Sequence, residues 1–447
     1  KTKTASIIYN KNFYDPSVVP EFVKQAEKRL NFSLKKWPFD SNDDDIKRII
    51  AEIRAEQEVG PIFFATSSTD CGRVISGFRY PGTDYPIIGP DSLAVPGFIH
   101  QFNSSSEEQR NPGYYTNGIY AVSPFISYLA DQPNARYFRE IFVRKYGREP
   151  TWVAAAYYDA MLVALNALEQ AEIQGGNIQE NRRKVKDALS RINEKDMAVK
   201  GVTGDIYFNE NGNVDLPLEL GVWQSNEFIP AYRQYRLSNS KSSREGDQNP
   251  EETEEPETAT SLRVVYTGVD INTVRNIDLK KGIFTADFYI WFRFKGTFED
   301  RAVTFTNSVK PVTLDAAIMR ETNRDDITVH AYRVVADFTF DSSTAAYPLD
   351  RHALRISFRY DKETRNTMIY IPDVVGMPGS VYKRNTGENM LEKIFCWEIE
   401  EIVAKQNIET ITDEHKGKKS YSRIDTKVKI YRQGRWTSSA KILLPVF

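Results

Sequence analysis

The period of the hydrophobic pattern changes once along this chain, and that change constrains the fold more than any other feature. Near the start, Phe22, Ala26 and Leu30 recur at i, i+4 and i+8, and Ile46, Ile49, Ile50 and Ile53 share one helical face. Beyond about residue 261 the spacing becomes two. Phe288, Ile290, Phe292 and Phe294 alternate with Tyr289, Trp291, Arg293 and Lys295, and Leu354, Ile356 and Phe358 alternate with Arg355, Ser357 and Arg359. Ile424, Thr426, Val428 and Ile430 repeat the pattern. Helical spacing sets one stripe of a helix against a core, whereas alternation sets one face of a strand there. A chain carrying the two in separate blocks is expected to be multidomain, α/β first and all-β second.

In the first block, short apolar runs (Ile7-Ile8-Tyr9, Pro61-Ile62-Phe63-Phe64, Pro86-Ile87-Ile88) alternate with amphipathic helices. This predicts a parallel sheet covered by helices. Ser41-Asn42-Asp43-Asp44-Asp45 supplies the side-chain oxygens that start a helix. A helix is expected over 73–80, and one over about 152–169, apolar on most sides, is expected to be deeply buried. Residues 238–260 carry almost no apolar side chains, and Pro250-Glu251-Glu252-Thr253-Glu254-Glu255-Pro256-Glu257 predicts an extended acidic linker. The domains are therefore read as 1–237, 238–260 as linker, and 261–447 as an antiparallel β-sandwich.

Charge and motif content exclude several classes. A net charge of -2 gives no attraction to nucleic acid or anionic membranes. Cys71 and Cys396 fall in different domains and are read as two buried free thiols. The histidines His100, His330, His352 and His415 have no metal spacing, and no phosphate loop or nucleophile elbow occurs. No metal, cofactor or catalytic activity is expected. No apolar run approaches the roughly 20 residues of a membrane helix, and no signal peptide is visible. The chain begins at Lys1 and turns apolar over 442–447, so both ends read as cut.

Four motifs of the second block occur in a family-like order. Ser261-Leu262-Arg263-Val264-Val265-Tyr266-Thr267-Gly268 leads through Phe294, and Tyr347-Pro348-Leu349-Asp350-Arg351-His352-Ala353-Leu354 follows. Trp397-Glu398-Ile399 comes next, then Ile430-Tyr431-Arg432-Gln433 with Leu444-Pro445. This resembles the extracellular immunoglobulin-like sandwich of pentameric ligand-gated ion channels, and the absence of Cys over 338–354 points to the bacterial members. The resemblance implies a homopentamer in the bacterial inner membrane, facing the periplasm, with its pore C-terminal to Phe447. It implies a gating clamp in which Arg432 meets Asp278 and Asp350 beside Pro348, where a guanidinium between carboxylates is strongly held. It also implies agonist contact at a subunit interface by Tyr289, Tyr360 and Tyr421, suited to an ammonium through cation–π attraction.

The first block resembles the type I periplasmic binding proteins for branched-chain and related amino acids. The carriers are Thr4-Ala5-Ser6-Ile7-Ile8-Tyr9 with Tyr14, Gly89-Pro90-Asp91, Tyr157-Tyr158-Asp159-Ala160 and Gly201-Val202-Thr203-Gly204-Asp205-Ile206-Tyr207-Phe208. The match begins at the second lobe, so the fold is expected to be partial. It implies Tyr14 and Asp91 as contacts of an amino acid or amine, Asp91 being equally readable as an acid at a helix start. Two functions follow: the sensing region of a pentameric channel, expected first, or a soluble periplasmic amino-acid-binding protein serving a transporter.

Overall fold

The computed structural model describes residues 4–12, 18–30, 33–79, 85–130, 132–173, 175, 177–237, 259–323, 326–342, 350–376, 394, 397–413 and 417–432. They form two compact units, Lys1–Ala231 and Tyr232–Phe447.

The first unit alternates strand and helix as its pattern predicts: β1 (Thr4–Asn10), α1 (Val18–Leu30), β2 (Ser33–Phe39), α2 (Asp43–Ala55), β3 (Ile62–Ala65), α3 (Ser68–Phe78) and β4 (Ile87–Gly89). After α4 (Pro96–His100) and α5 (Ser106–Arg110) comes β5 (Ile119–Ser123). The Asn42 side chain caps α2 by accepting from the Asp45 N–H at 2.9 Å, and Ile46, Ile49 and Ile53 turn inward. The helix expected over 73–80 starts earlier, at Ser68, because Ser67 caps it through the Asp70 N–H. Then follow α6 (Pro133–Tyr146), α7 (Trp152–Gln170), α8 (Ile178–Ser190), the ribbon β6 (Val199–Lys200) and β7 (Asp205–Ile206), and the hairpin β8 (Glu219–Gln224) with β9 (Glu227–Pro230).

Sheet order is β2-β1-β3-β4-β5-β8-β9. The pairs from β2 through β5 are parallel, and β8 and β9 add on antiparallel. Ile8, Ile62, Phe64 and Ile119 pack with helical Ile49, Ile53, Val74, Phe78 and Phe98 into the main core. The expectation for α7 is overturned. Only Ala155, Asp159, Val163 and Ala167 are buried, while Tyr157, Met161 and Leu165 stand 76%, 60% and 49% exposed. A helix can be apolar all round and still find packing partners for one stripe only.

The second unit opens at Tyr232, and residues 233–237, assigned by pattern to the first domain, belong here as β10 (Arg233–Leu237). They pair antiparallel with β11 (Ala259–Asp278). Most of the acidic linker, 238–258, lies outside the described residues. The remaining strands are β12 (Ile283–Lys295), β13 (Val303–Phe305), β14 (Met319–Thr322), β15 (Ile327–Thr339), β16 (Arg351–Tyr360), β17 (Met368–Pro372), β18 (Trp397–Asp413) and β19 (Gly417–Arg432). One sheet runs β10-β11-β12-β15-β14 with β17 alongside β11, and the other runs β13-β16-β19-β18. Pairing is antiparallel except between β11 and β17, which are parallel.

The two sheets enclose a single core, as alternation predicts. Phe288, Ile290, Phe292 and Phe294 meet Leu354, Ile356 and Phe358 there, with the rings of Phe292 and Phe358 edge to face at 6.1 Å. The outer face of β12 differs from a simple alternating strand, since Trp291 and Arg293 are also buried. Asp373 accepts from Arg293 Nε at 3.0 Å, Arg293 Nη2 at 2.6 Å and Trp291 Nε1 at 3.1 Å. The guanidinium carbon lies 4.4 Å from the Tyr266 ring centre, and a further N–H donates to the Tyr232 hydroxyl. Burial opposes the Arg293 charge, but the Asp373 carboxylate outweighs it and keeps the group ionised.

Candidate functional site

In the parallel sheet of the first unit, β1 has β2 on one side and β3 on the other, so the strand order reverses there. In open α/β sheets the crevice outside the carboxyl ends of the strands, at such a reversal, is where ligands bind. Tyr9 is paired with Ala65 and Phe63 with Ile88. Continuing the first register sets Asn10 beside Thr66 on adjacent strand ends, about 4.8 Å apart, and Asp91 follows two residues after the end of β4, the next strand of the sheet.

These ends are polar and partly braced. Asn10 Nδ2 donates to Ser41 Oγ at 2.6 Å and to Asp70 Oδ2 at 3.2 Å, and Ser41 Oγ donates to the same carboxylate at 2.6 Å. Arg73 adds a cation 3.4 Å from Asp70 Oδ1. Asp70 is therefore committed to holding the loops. The hydroxyls of Thr66 and Ser92, by contrast, are buried and have no hydrogen-bond partner. A buried hydroxyl left unpaired is costly, and each such group calls for a reason.

Asp91 opens a short 3-10 turn, Asp91–Leu93, behind Pro90. Its carbonyl accepts from Trp152 Nε1 at 3.0 Å, fixing the turn, and its side chain does not cap it. The Asp91 carboxylate has no ion pair or hydrogen bond among the described residues. Tyr14 lies outside them. Asn10, Thr66 and Ser92 escaped the sequence reading, although Asn10 and Thr66 sit at strand ends and Ser92 in the turn that follows β4.

The sandwich residues fall in several places. Asp350, 1% exposed, accepts from Arg432 Nε and Nη2 at 3.0 Å each. His352 Nε2 lies 2.9 Å from the same carboxylate. Burial alone would raise the Asp350 carboxyl, but Arg432 and His352 prevail and hold it at about 2. The Arg432 guanidinium also rests 4.7 Å over the Trp397 ring. Asp278 accepts from the Lys280 and Lys281 N–H groups in its own turn. Pro348 and Cys396 lie outside the described residues, and Cys71 is buried, which pushes its thiol up.

Of the three tyrosines, Tyr360 is buried against Phe298 with ring centres 5.0 Å apart. Tyr289 is half-buried on β12, opposite Arg333, and Tyr421 lies under Arg359 at 5.8 Å. No ring contact joins any two of them among the described residues. No group of three or more His, Cys, Asp or Glu is placed to hold a metal ion among these residues either.

Residues 39–227 match the model of the family described as Periplasmic binding protein, less than half of the chain. A periplasmic-binding-protein domain is thus present. Among solved structures, the chain is similar to the leucine-binding protein LivK of Thermotoga maritima, at 19% identity over 51% of this chain and 59% of that one, with a TM-score of 0.43. It is also similar to LivJ of Streptococcus pneumoniae, a branched-chain amino acid transporter substrate-binding protein solved with isoleucine. There the identity is 21%, over 51% of this chain and 58% of that one, with a TM-score of 0.37. The chain spans less than two thirds of either structure. No curated protein matches it.

The channel expectation is overturned by the family match, which is to periplasmic binding proteins. Of the two functions read from the sequence, the match fits solute binding better than a channel. The homopentamer and pore expected with the channel have no support, and no helix among the described residues is long and apolar enough to cross a membrane.

Proposed function

We propose that the first unit is a periplasmic binding module for a small polar solute bearing an ammonium group, of the amino-acid class, and that the chain delivers this solute to a transporter. The observation that carries the reading is the cluster of strand ends at the reversal of sheet order, in which Thr66, Asp91 and Ser92 fall within the segment that matches the family and Asn10 precedes it. Thr66 and Ser92 supply hydroxyls with unmet hydrogen bonds, and Asp91 supplies a carboxylate with no partner among the described residues. An anion facing an ammonium, with hydroxyls beside it, is ordinary chemistry for such a ligand. The role is capture rather than catalysis, and Tyr14 is proposed as a further contact.

Calorimetric titration with a panel of L-amino acids tests this. One or more should bind, and Asp91→Asn should weaken that binding roughly 10–100-fold, the worth of a charge-assisted hydrogen bond. Absence of binding across the panel at millimolar concentration, with the protein folded, would overturn the reading.

A further inference from the structure

A cavity of about 450 Å³ lies wholly within the sandwich unit, a size that suits a small organic molecule. Arg263 of β11, the 297–301 segment after β12, Arg320 of β14 and His330 of β15 line it, with Tyr360 at the end of β16 and Glu363 just beyond. Phe298 and Tyr360 form an apolar, aromatic part of the wall.

The charges in this wall are unevenly matched. Glu363 is paired with Arg263 at 2.8 Å, and Glu299 with Lys362. Asp300 is held by His330 Nδ1 at 2.5 Å and by the Tyr332 hydroxyl. Burial and that Asp300 contact push the Tyr332 hydroxyl up to about 12, so it remains a protonated donor to the carboxylate. All three acids of the wall are therefore engaged. Two of the three arginines of the wall are less committed: Arg301 donates to the Asp315 carbonyl at 3.3 Å, and Arg320 stands close to the Tyr332 hydroxyl. Neither guanidinium has a carboxylate partner among the described residues. Two exposed guanidinium forks thus border a cavity whose own acids already have partners, an arrangement complementary to an oxyanion.

We propose that this cavity is a binding site for a small molecule with an anionic head, a carboxylate or a phosphate, gripped by Arg301 and Arg320 with its apolar body on Phe298 and Tyr360. The site is independent of the amino-acid site of the first unit.

The test is calorimetric titration of the full chain carrying Thr66→Val and Asp91→Asn, which weaken the site proposed in the first unit. The probes are succinate and inorganic phosphate, with succinamide as the uncharged control. At least one anion should bind and succinamide should not. Succinate alone assigns a carboxylate ligand, and phosphate alone a phosphorylated one. The pair Arg301→Gln and Arg320→Gln should weaken binding roughly ten-fold or more, with the near-ultraviolet circular dichroism unchanged. Arg301→Gln alone, on an exposed turn, serves if the pair fails to fold. Failure of both anions to bind at millimolar concentration, equal binding of succinamide, or undiminished binding in the arginine variants would overturn the proposal.

Discussion

Asp350 and Asp373 are two buried carboxylates in one sandwich, each bidentate to an arginine. Asp350 is depressed from 3.8 to about 2. A depressed acid stabilises the fold fully above its unfolded pKa and loses that contribution as pH falls through the folded one. The window is therefore from about pH 4 down to about pH 2, and the loss is about 2 kcal/mol. Urea unfolding measured across that window should show this slope, and Asp350→Asn should flatten it. At the other pair, Asp373→Asn leaves the Arg293 charge buried without its counter-ion. It should cost about 3–5 kcal/mol by the same method. The depression of Asp350 and the burial of Arg293 depend on residues about eighty positions away in the sequence, which is why charge counting along the chain cannot reveal the state of either.

Elements were more legible than individual contacts. The apolar run 61–64 located the strand observed at Ile62–Ala65, and the polar run 41–45 located the start of α2, because both are set by neighbours within a few residues. Helix α7 was misread for the opposite reason. Its composition says apolar, but which stripe is covered depends on where α6, α8 and the ribbon lie. Met161→Ser, on the 60% exposed side, should change stability by less than about 0.5 kcal/mol. Val163→Ala, two residues on and 7% exposed, should cost roughly 2 kcal/mol. Thermal unfolding of the two variants separates the buried stripe from the bare one. The strand β10 teaches the same lesson, since Arg233–Leu237 pairs with β11 across a long stretch of intervening chain.

At the scale of the whole molecule, each unit has its own hydrophobic core: an α/β core in the first and an aromatic-rich one between two sheets in the second. Independent cores predict independent unfolding. Scanning calorimetry should resolve two transitions, and acidification toward pH 3 should lower the sandwich transition, the one containing Asp350 (about half of the pH effect given above). An amino acid bound at the Asp91 edge should raise the other transition.

The sequence by itself determined the two-block architecture, the period of each block and the places where parallel strands end, since these follow from local spacing and capping. It led to Asp91 at the candidate site but not to Asn10, Thr66 or Ser92, whose part depends on the order of strands in the sheet. Only the tertiary structure decided that order, the bare face of α7, the capture of 233–237 by the second unit and the engagement of every acid around the sandwich cavity. Each of these is a contact between segments far apart in the chain, and the pattern of any one segment is compatible with several such partners.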